Sequence, residues 1–182
     1  MAKKKKPEHY IDNDEFLAAM VDFKKAVAEA EKTGTERPMV SNYIGECFLK
    51  LATHRAQQRN FRDYTFIGGM IMDGVENCLR YIDNFDPNIS GNPFSYFTQI
   101  IYYSFLRRIA KEKKSLYIKL KATERANIFS GTSDFNPHDV TTYNASDVAL
   151  NEWAQRFVED FETNVRKKKL EQKRKAKKKV KW

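Results

Sequence analysis

The chain is predicted to be all-α, a compact helical bundle with disordered basic N- and C-terminal tails. Three observations predict this. Apolar residues recur three and four apart along most of the chain, the period of a helix with one buried face. Strand signals are missing: there is no alternating β-branched run, no Asn-Gly hairpin and no βαβ pattern. Charge is segregated to the ends. Of the net +9, Lys3 to Lys6 supply +4, and the 11 Lys or Arg of residues 166–182, set against Glu171, supply +10; the interior is left at −5. With 182 residues, 41% of them hydrophobic, the chain has room for one core of ordinary size. The expected division is a disordered segment 1–9, a helical domain 10–165 and a basic tail 166–182. A mildly acidic body with basic extensions suits a protein that meets both another protein and a polyanion.

The elements follow in order. Asp12 and Glu15 have the spacing of a capping box, and Phe16, Ala19, Met20, Phe23, Val27 and Ala30 repeat with a helical period to about Lys32. Thr33, Gly34, Thr35 and Pro38 break that helix. A second helix from about Ser41 to Arg59 buries Ile44, Cys47, Phe48, Leu51 and Ala52, with Arg55, Gln57 and Arg59 on its exposed side. Phe61, Tyr64 and Phe66 form an aromatic loop that plugs the core. A third helix, about Met70 to Asn84, buries Ile71, Val75, Cys78, Leu79 and Ile82 and turns Asp73, Glu76, Asn77 and Arg80 the other way.

Pro87 has no amide hydrogen and biases Asp86 away from helix, so that pattern stops there. Asn88, Ser90 and Gly91 supply turn chemistry. Asn92-Pro93 is a restart signal, an amide cap followed by the residue best tolerated in a first turn. The fourth helix should bury Phe94, Phe97, Ile101, Phe105 and Ile109. Tyr96, Gln99, Tyr103 and Arg107 fall on another face, followed by Arg108, Lys111 and Lys114. Aromatic rings stack on unpaired bases, amides read base edges, and Arg and Lys neutralise phosphates. The plainer alternative is an amphipathic helix with a solvated basic end. Beyond Lys114, periodicity does not separate a continuing helix from an extended segment. Residues 130–144 read as a loop. Ser146 or Asp147 can cap a last helix whose Trp153, Phe157 and Phe161 lie four apart.

Enzyme chemistry finds little support. His9, His54 and His138 are isolated, there is no HExxH or CxxC spacing, and Gly68-Gly69 lacks the lysine of a phosphate-binding loop. No catalytic residue, metal or cofactor is expected. Cys47 and Cys78 sit in apolar patterns as core thiols. No apolar run approaches the length needed to span a bilayer, and no signal-peptide core follows Lys3 to Lys6, so no membrane partner is expected and the chain reads as soluble and intracellular.

Asp73-Gly74, then Phe85-Asp86, Gly91, Phe94-Ser95, the aromatic Phe97 and Arg108 stand in an order and spacing that resemble region 2 of bacterial sigma factors, and Asp73-Gly74, Asn84-Phe85-Asp86, Asn92-Pro93, Tyr96, Thr98-Gln99 and Arg108-Ile109 carry a closer likeness. That closer likeness is to the late-transcription sigma factors of T-even-type bacteriophages. It extends more loosely from about Tyr10 to about Phe161. The resemblance implies a bundle of the sigma region 2 type that binds host RNA polymerase core, at the clamp helices of its largest subunit, and recognises and melts a −10-like element of late promoters. It implies a polymerase-binding set of Met70, Asp73, Gly74, Glu76, Asn77 and Arg80. It implies a DNA-binding set of Tyr96, Phe97, Thr98, Gln99, Tyr103, Arg107, Arg108, Lys111 and Lys114. A phage co-activator is a further implied partner, and the cytoplasm of the infected host the implied location. The family's tryptophan pair falls on Ile100 and Ile101, so Tyr96 and Tyr103 are expected to share the stacking role.

Overall fold

The computed structural model describes residues 10–125 and 145–179. Every regular element among them is helical: α1 (Asn13–Thr33), α2 (Asn42–Ala56), α3 (Ile67–Arg80), a 3-10 turn (Ile82–Asn84), α4 (Pro93–Arg125) and α5 (Ala145–Lys179). The loop expected over 130–144 and the segment 1–9 lie outside the described residues. The chain divides into two compact units, Met1–Ala110 and Lys111–Trp182, with the division inside α4.

In the first unit α1, α2 and α4 start where their caps are. The Asp12 carboxylate accepts from the amides of Asp14 and Glu15, and the Ser41 hydroxyl accepts from that of Ile44 at 3.4 Å. Asn92 accepts from the amide of Ser95 at 2.9 Å. Each side chain satisfies amides that the first turn leaves without partners. Gly34 ends α1 with φ +64°, where a side chain would be strained. Between α3 and α4, Asp86 closes the turn by accepting from the amide of Asn88 at 2.9 Å. Asn13 of α1 ties this turn down: its carbonyl oxygen accepts from the Phe94 amide at 3.4 Å and its amide group donates to the Gly91 carbonyl at 3.5 Å. On the far side, Arg37 holds both oxygens of Asp83, at 2.7 and 2.9 Å.

The core is aromatic. Phe48 packs on Phe97 with ring centroids 4.6 Å apart, Phe16 and Phe85 approach Phe97 at 5.8 and 5.7 Å, and Phe61 meets Phe105 edge-on at 5.2 Å. Met20, Ile44, Leu51, Met70, Ile82 and Ile101 fill the space between. Both cysteines are free and buried, and burial pushes the Cys78 thiol above its ordinary range. Tyr64 and Phe66 pack on each other, half-buried.

Two expectations about faces are corrected. α3 buries Met70, Gly74 and Cys78, whereas Leu79 is 42% exposed and Ile71 and Val75 are half-buried. The buried stripe therefore begins one residue earlier than the apolar count indicates. The reason is Gly74, where α4 comes so close that an added Cβ would lie 3.2 Å from Phe105 and 3.4 Å from Ile101. Arg55 is also half-buried rather than solvated, stacked on the Tyr102 ring at 4.8 Å.

In the second unit, α4 is helical from Lys111 through Arg125, so the segment past Lys114 continues the helix and is not extended. Glu162 of α5 gathers the Tyr117 hydroxyl at 3.1 Å and Lys121 at 3.3 Å, and the Tyr117 ring stacks on Phe161 at 4.6 Å. Trp153, Phe157 and Phe161 do stack in succession along α5. Disorder is the expectation from Arg166 onward, but α5 runs on to Lys179. Lys, Arg, Glu, Gln, Leu and Ala are all good helix formers, and nothing in 166–179 breaks a helix.

Candidate functional site

Polar residues of α3 and α4 that the sequence places on two separate surfaces meet in one seam between these helices. Arg108 donates to both oxygens of Asp73, at 3.1 and 3.3 Å, with the two side chains only 24% and 33% exposed. Asn77 donates to the Asp73 carbonyl at 2.6 Å and to the Ser104 hydroxyl at 3.2 Å, and accepts from Arg107 at 2.8 Å. Ser104, 2% exposed, is buried and polar, and Asn77 gives it a partner. Gly69 makes room for the seam: a Cβ there would stand 2.9 Å from an Arg108 nitrogen.

The implied polymerase-binding set divides accordingly. Met70 and Gly74 are buried core positions and cannot meet a partner. Asp73 and Asn77 face α4. Glu76 and Arg80 are exposed and pair with each other at 2.6 Å. Beside them stand two apolar residues that the sequence pattern does not assign to this surface, Met72, 62% exposed, and Leu79. Residues 72, 76 and 79 share one side of a helix by spacing. That spacing is the available signal, once the buried stripe is started at Met70.

The implied DNA-binding set divides too. Phe97 is fully buried at the centre of the aromatic core, so it is not available to a base. Its place on the stripe with Ile101 and Phe105 already points inward. Tyr96 is half-buried against Phe85 at 5.3 Å, and burial raises the pKa of its hydroxyl. Thr98 is half-buried. Gln99, Tyr103 and Arg107 are exposed, and Tyr103, half in solvent, rests edge-on against Tyr102. Lys111 and Lys114 are exposed on the second unit. The surface available on the first unit is thus an amide, a phenol ring and a guanidinium on α4. These can hydrogen-bond a base edge, stack, and neutralise a phosphate.

No protein-family model matches the chain, and no curated protein matches it significantly. No described helix is long and apolar enough to cross a membrane. Among the described residues, no group of three or more His, Cys, Asp or Glu is placed to hold a metal ion.

Proposed function

We propose that the chain is a phage late-gene sigma factor: it binds host RNA polymerase core, directs it to a −10-like promoter element and helps to melt that element, with no catalytic chemistry of its own. The observation that carries this reading is a coincidence of motif and fold. The sigma-like order from Asp73 to Ile109 falls on two helices joined by a short pinned turn. One helix leaves an apolar and acidic strip exposed, the other an amide, aromatic and basic strip. In this reading Met72, Glu76 and Leu79 of α3 meet the clamp helices of the polymerase, in place of the buried Met70 and Gly74. Gln99, Tyr103 and Arg107 of α4 meet DNA, with Tyr103 stacking on an unpaired base in place of Phe97. A phage co-activator is a further partner, and the complex works in the cytoplasm of the infected bacterium.

One observation favours a second reading, a general nucleic-acid binder acting through α5: from Arg166 to Ala176 this helix is exposed, and seven of these eleven residues are Lys or Arg against the single acid Glu171. In vitro transcription separates the two. A sigma factor co-purifies with core polymerase and gives initiation only on promoters carrying its element. DNA binding without polymerase association, and without sequence-dependent initiation, would replace it by the second reading.

A further inference from the structure

Among the described residues, two buried side-chain polar atoms lack a hydrogen-bond partner, Arg55 Nε and Thr98 Oγ1. Both residues line the same open groove of about 520 Å³, where the end of α2 faces the first turns of α4. A buried donor left unmade costs free energy, so two beside one groove ask for a common explanation. Asn92, Ser95, Gln99 and Tyr102 also line it, and no acidic residue does.

Arg55 is fixed in place. Its guanidinium carbon lies 4.8 Å from the Tyr102 ring centroid and 5.7 Å from that of Phe61, and Phe61 is itself buried in the core. A guanidinium held by stacking has already given up its rotamer freedom, and its N–H groups form a fork that matches two oxygens of one anion. The hydroxyl of Thr98 and the neutral amides of Asn92 and Gln99 offer further donors for a group with several acceptor oxygens.

We infer that this groove binds a phosphate group, with Arg55 and Thr98 as its principal donors. The phosphate belongs to the backbone of a nucleic-acid strand. Tyr102 flanks the groove and Gln99 is exposed beside it on the same helix, so a nucleotide seated there has both a ring and an amide within its reach. This identification of the phosphate with a DNA strand rests on the function proposed above; the phosphate site itself does not.

The test uses the full chain labelled with nitrogen-15 and follows the Arg55 Nε–H signal with the amides of Thr98 and Gln99. Three probes are titrated at matched ionic strength: the dinucleotide dTpdT, inorganic phosphate and acetate. The expected result is saturable shifts at these positions with dTpdT and with phosphate, and none with acetate. Arg55→Gln should weaken dTpdT binding about tenfold or more, since it removes a charge-assisted pair of bonds. Thr98→Val keeps the charge and nearly the shape and should weaken it about threefold to tenfold. Both variants should leave signals of α1 and the turn unchanged. Equal response to acetate and phosphate, or shifts confined to the basic residues of α5, overturns the site. Shifts with phosphate but not with dTpdT keep the phosphate site and overturn its assignment to a strand. Failure of the polymerase reading shows separately, as absence of co-purification with Arg55 signals still responding.

Discussion

Asp73 and Arg108 show how a tertiary contact changes the meaning of a residue. Read alone, each looks like a charge awaiting a partner, but across α3 and α4 each is the other's partner. Charge reversal at Asp73 would then perturb the fold together with any polymerase contact, so Glu76, Met72 and Leu79 are the cleaner positions for testing docking. We expect Asp73→Asn and Arg108→Gln to be coupled by about 1 kcal/mol in a double-mutant cycle of urea unfolding, as suits a partly buried pair. Strict additivity would remove the seam as a stabilising feature. The two seam-side glycines should behave oppositely. Gly74→Val pushes methyl groups against Phe105, Ile101 and Ala52 and should destabilise by about 1–3 kcal/mol, the cost of overpacking a closed site. For Gly69→Ala the three nearest atoms all belong to the movable end of Arg108, so it should gain up to about 1 kcal/mol of helix propensity while weakening the coupling to Asp73. A destabilised Gly69→Ala protein, or a tolerant Gly74→Val one, would reverse this assignment.

At the level of elements, what was legible in the sequence was local. Asp12, Ser41 and Asn92 act through amides two or three residues away, and Pro87 acts on its own neighbours, so the starts of α1, α2 and α4 and the α3 to α4 turn could be read off, whereas α3, with no capping side chain, begins at Ile67 and not near Met70. The rotation of α3 could not: Gly74 adds nothing to a hydrophobicity count, and only the approach of Phe105 makes it a core position. The pairing of Asn77 with Arg107 and the burial of Arg55 against Tyr102 are likewise contacts between elements. In α5, helix-forming composition won over like-charge repulsion as far as Lys179. Deleting residues 166–182 should flatten the log-log salt dependence of DNA binding by about 0.9 for each phosphate that is no longer neutralised, lowering affinity for all sequences alike. An unchanged salt slope with activity abolished on one promoter class would make this segment a partner-binding element instead. The contact of α4 with α5 at Glu162 should depend on pH. The Tyr117 hydroxyl first, and then Lys121, hold the Glu162 carboxyl below its ordinary range. A carboxylate whose pKa is lowered by folding stabilises the contact above the unfolded pKa and ceases to do so as pH falls through the folded one. The near-UV signal of the stacked Tyr117 and Phe161 should therefore weaken at acid pH, and Glu162→Gln should remove that dependence. An identical acid response in the variant would exclude Glu162 as its source.

For the whole molecule, the division inside α4 bears on both stability and function. Every residue of the main core cluster lies between Ile11 and Phe105. The second unit, by contrast, has Ala154 as its buried apolar residue among those described, and leaves Trp153, Ile118 and Leu170 about half exposed. Burial of apolar area is the dominant favourable term in folding, so cooperative unfolding should be governed by the first unit. The strips assigned to polymerase and to DNA on α3 and on α4 up to Arg107, and the groove at Arg55, also belong to that unit. A chain ending at Arg125 should thus retain a single sharp thermal transition in near-UV circular dichroism. Its midpoint should lie within about 5 °C of the full chain's, the shift that about 1 kcal/mol makes in a domain of this size. Helix signal should fall by more than the deleted residues alone supply, because the last turns of α4 no longer have Glu162 and Phe161 to pack on and fray. The same truncated chain should still associate with core polymerase but bind DNA more weakly and with a shallower salt dependence, since it lacks the basic run of α5 that begins at Arg166. A broad, non-cooperative transition after truncation would mean that the first unit does not hold its fold alone. Polymerase binding abolished while the sharp transition survives would instead move the docking surface from α3 to the second unit.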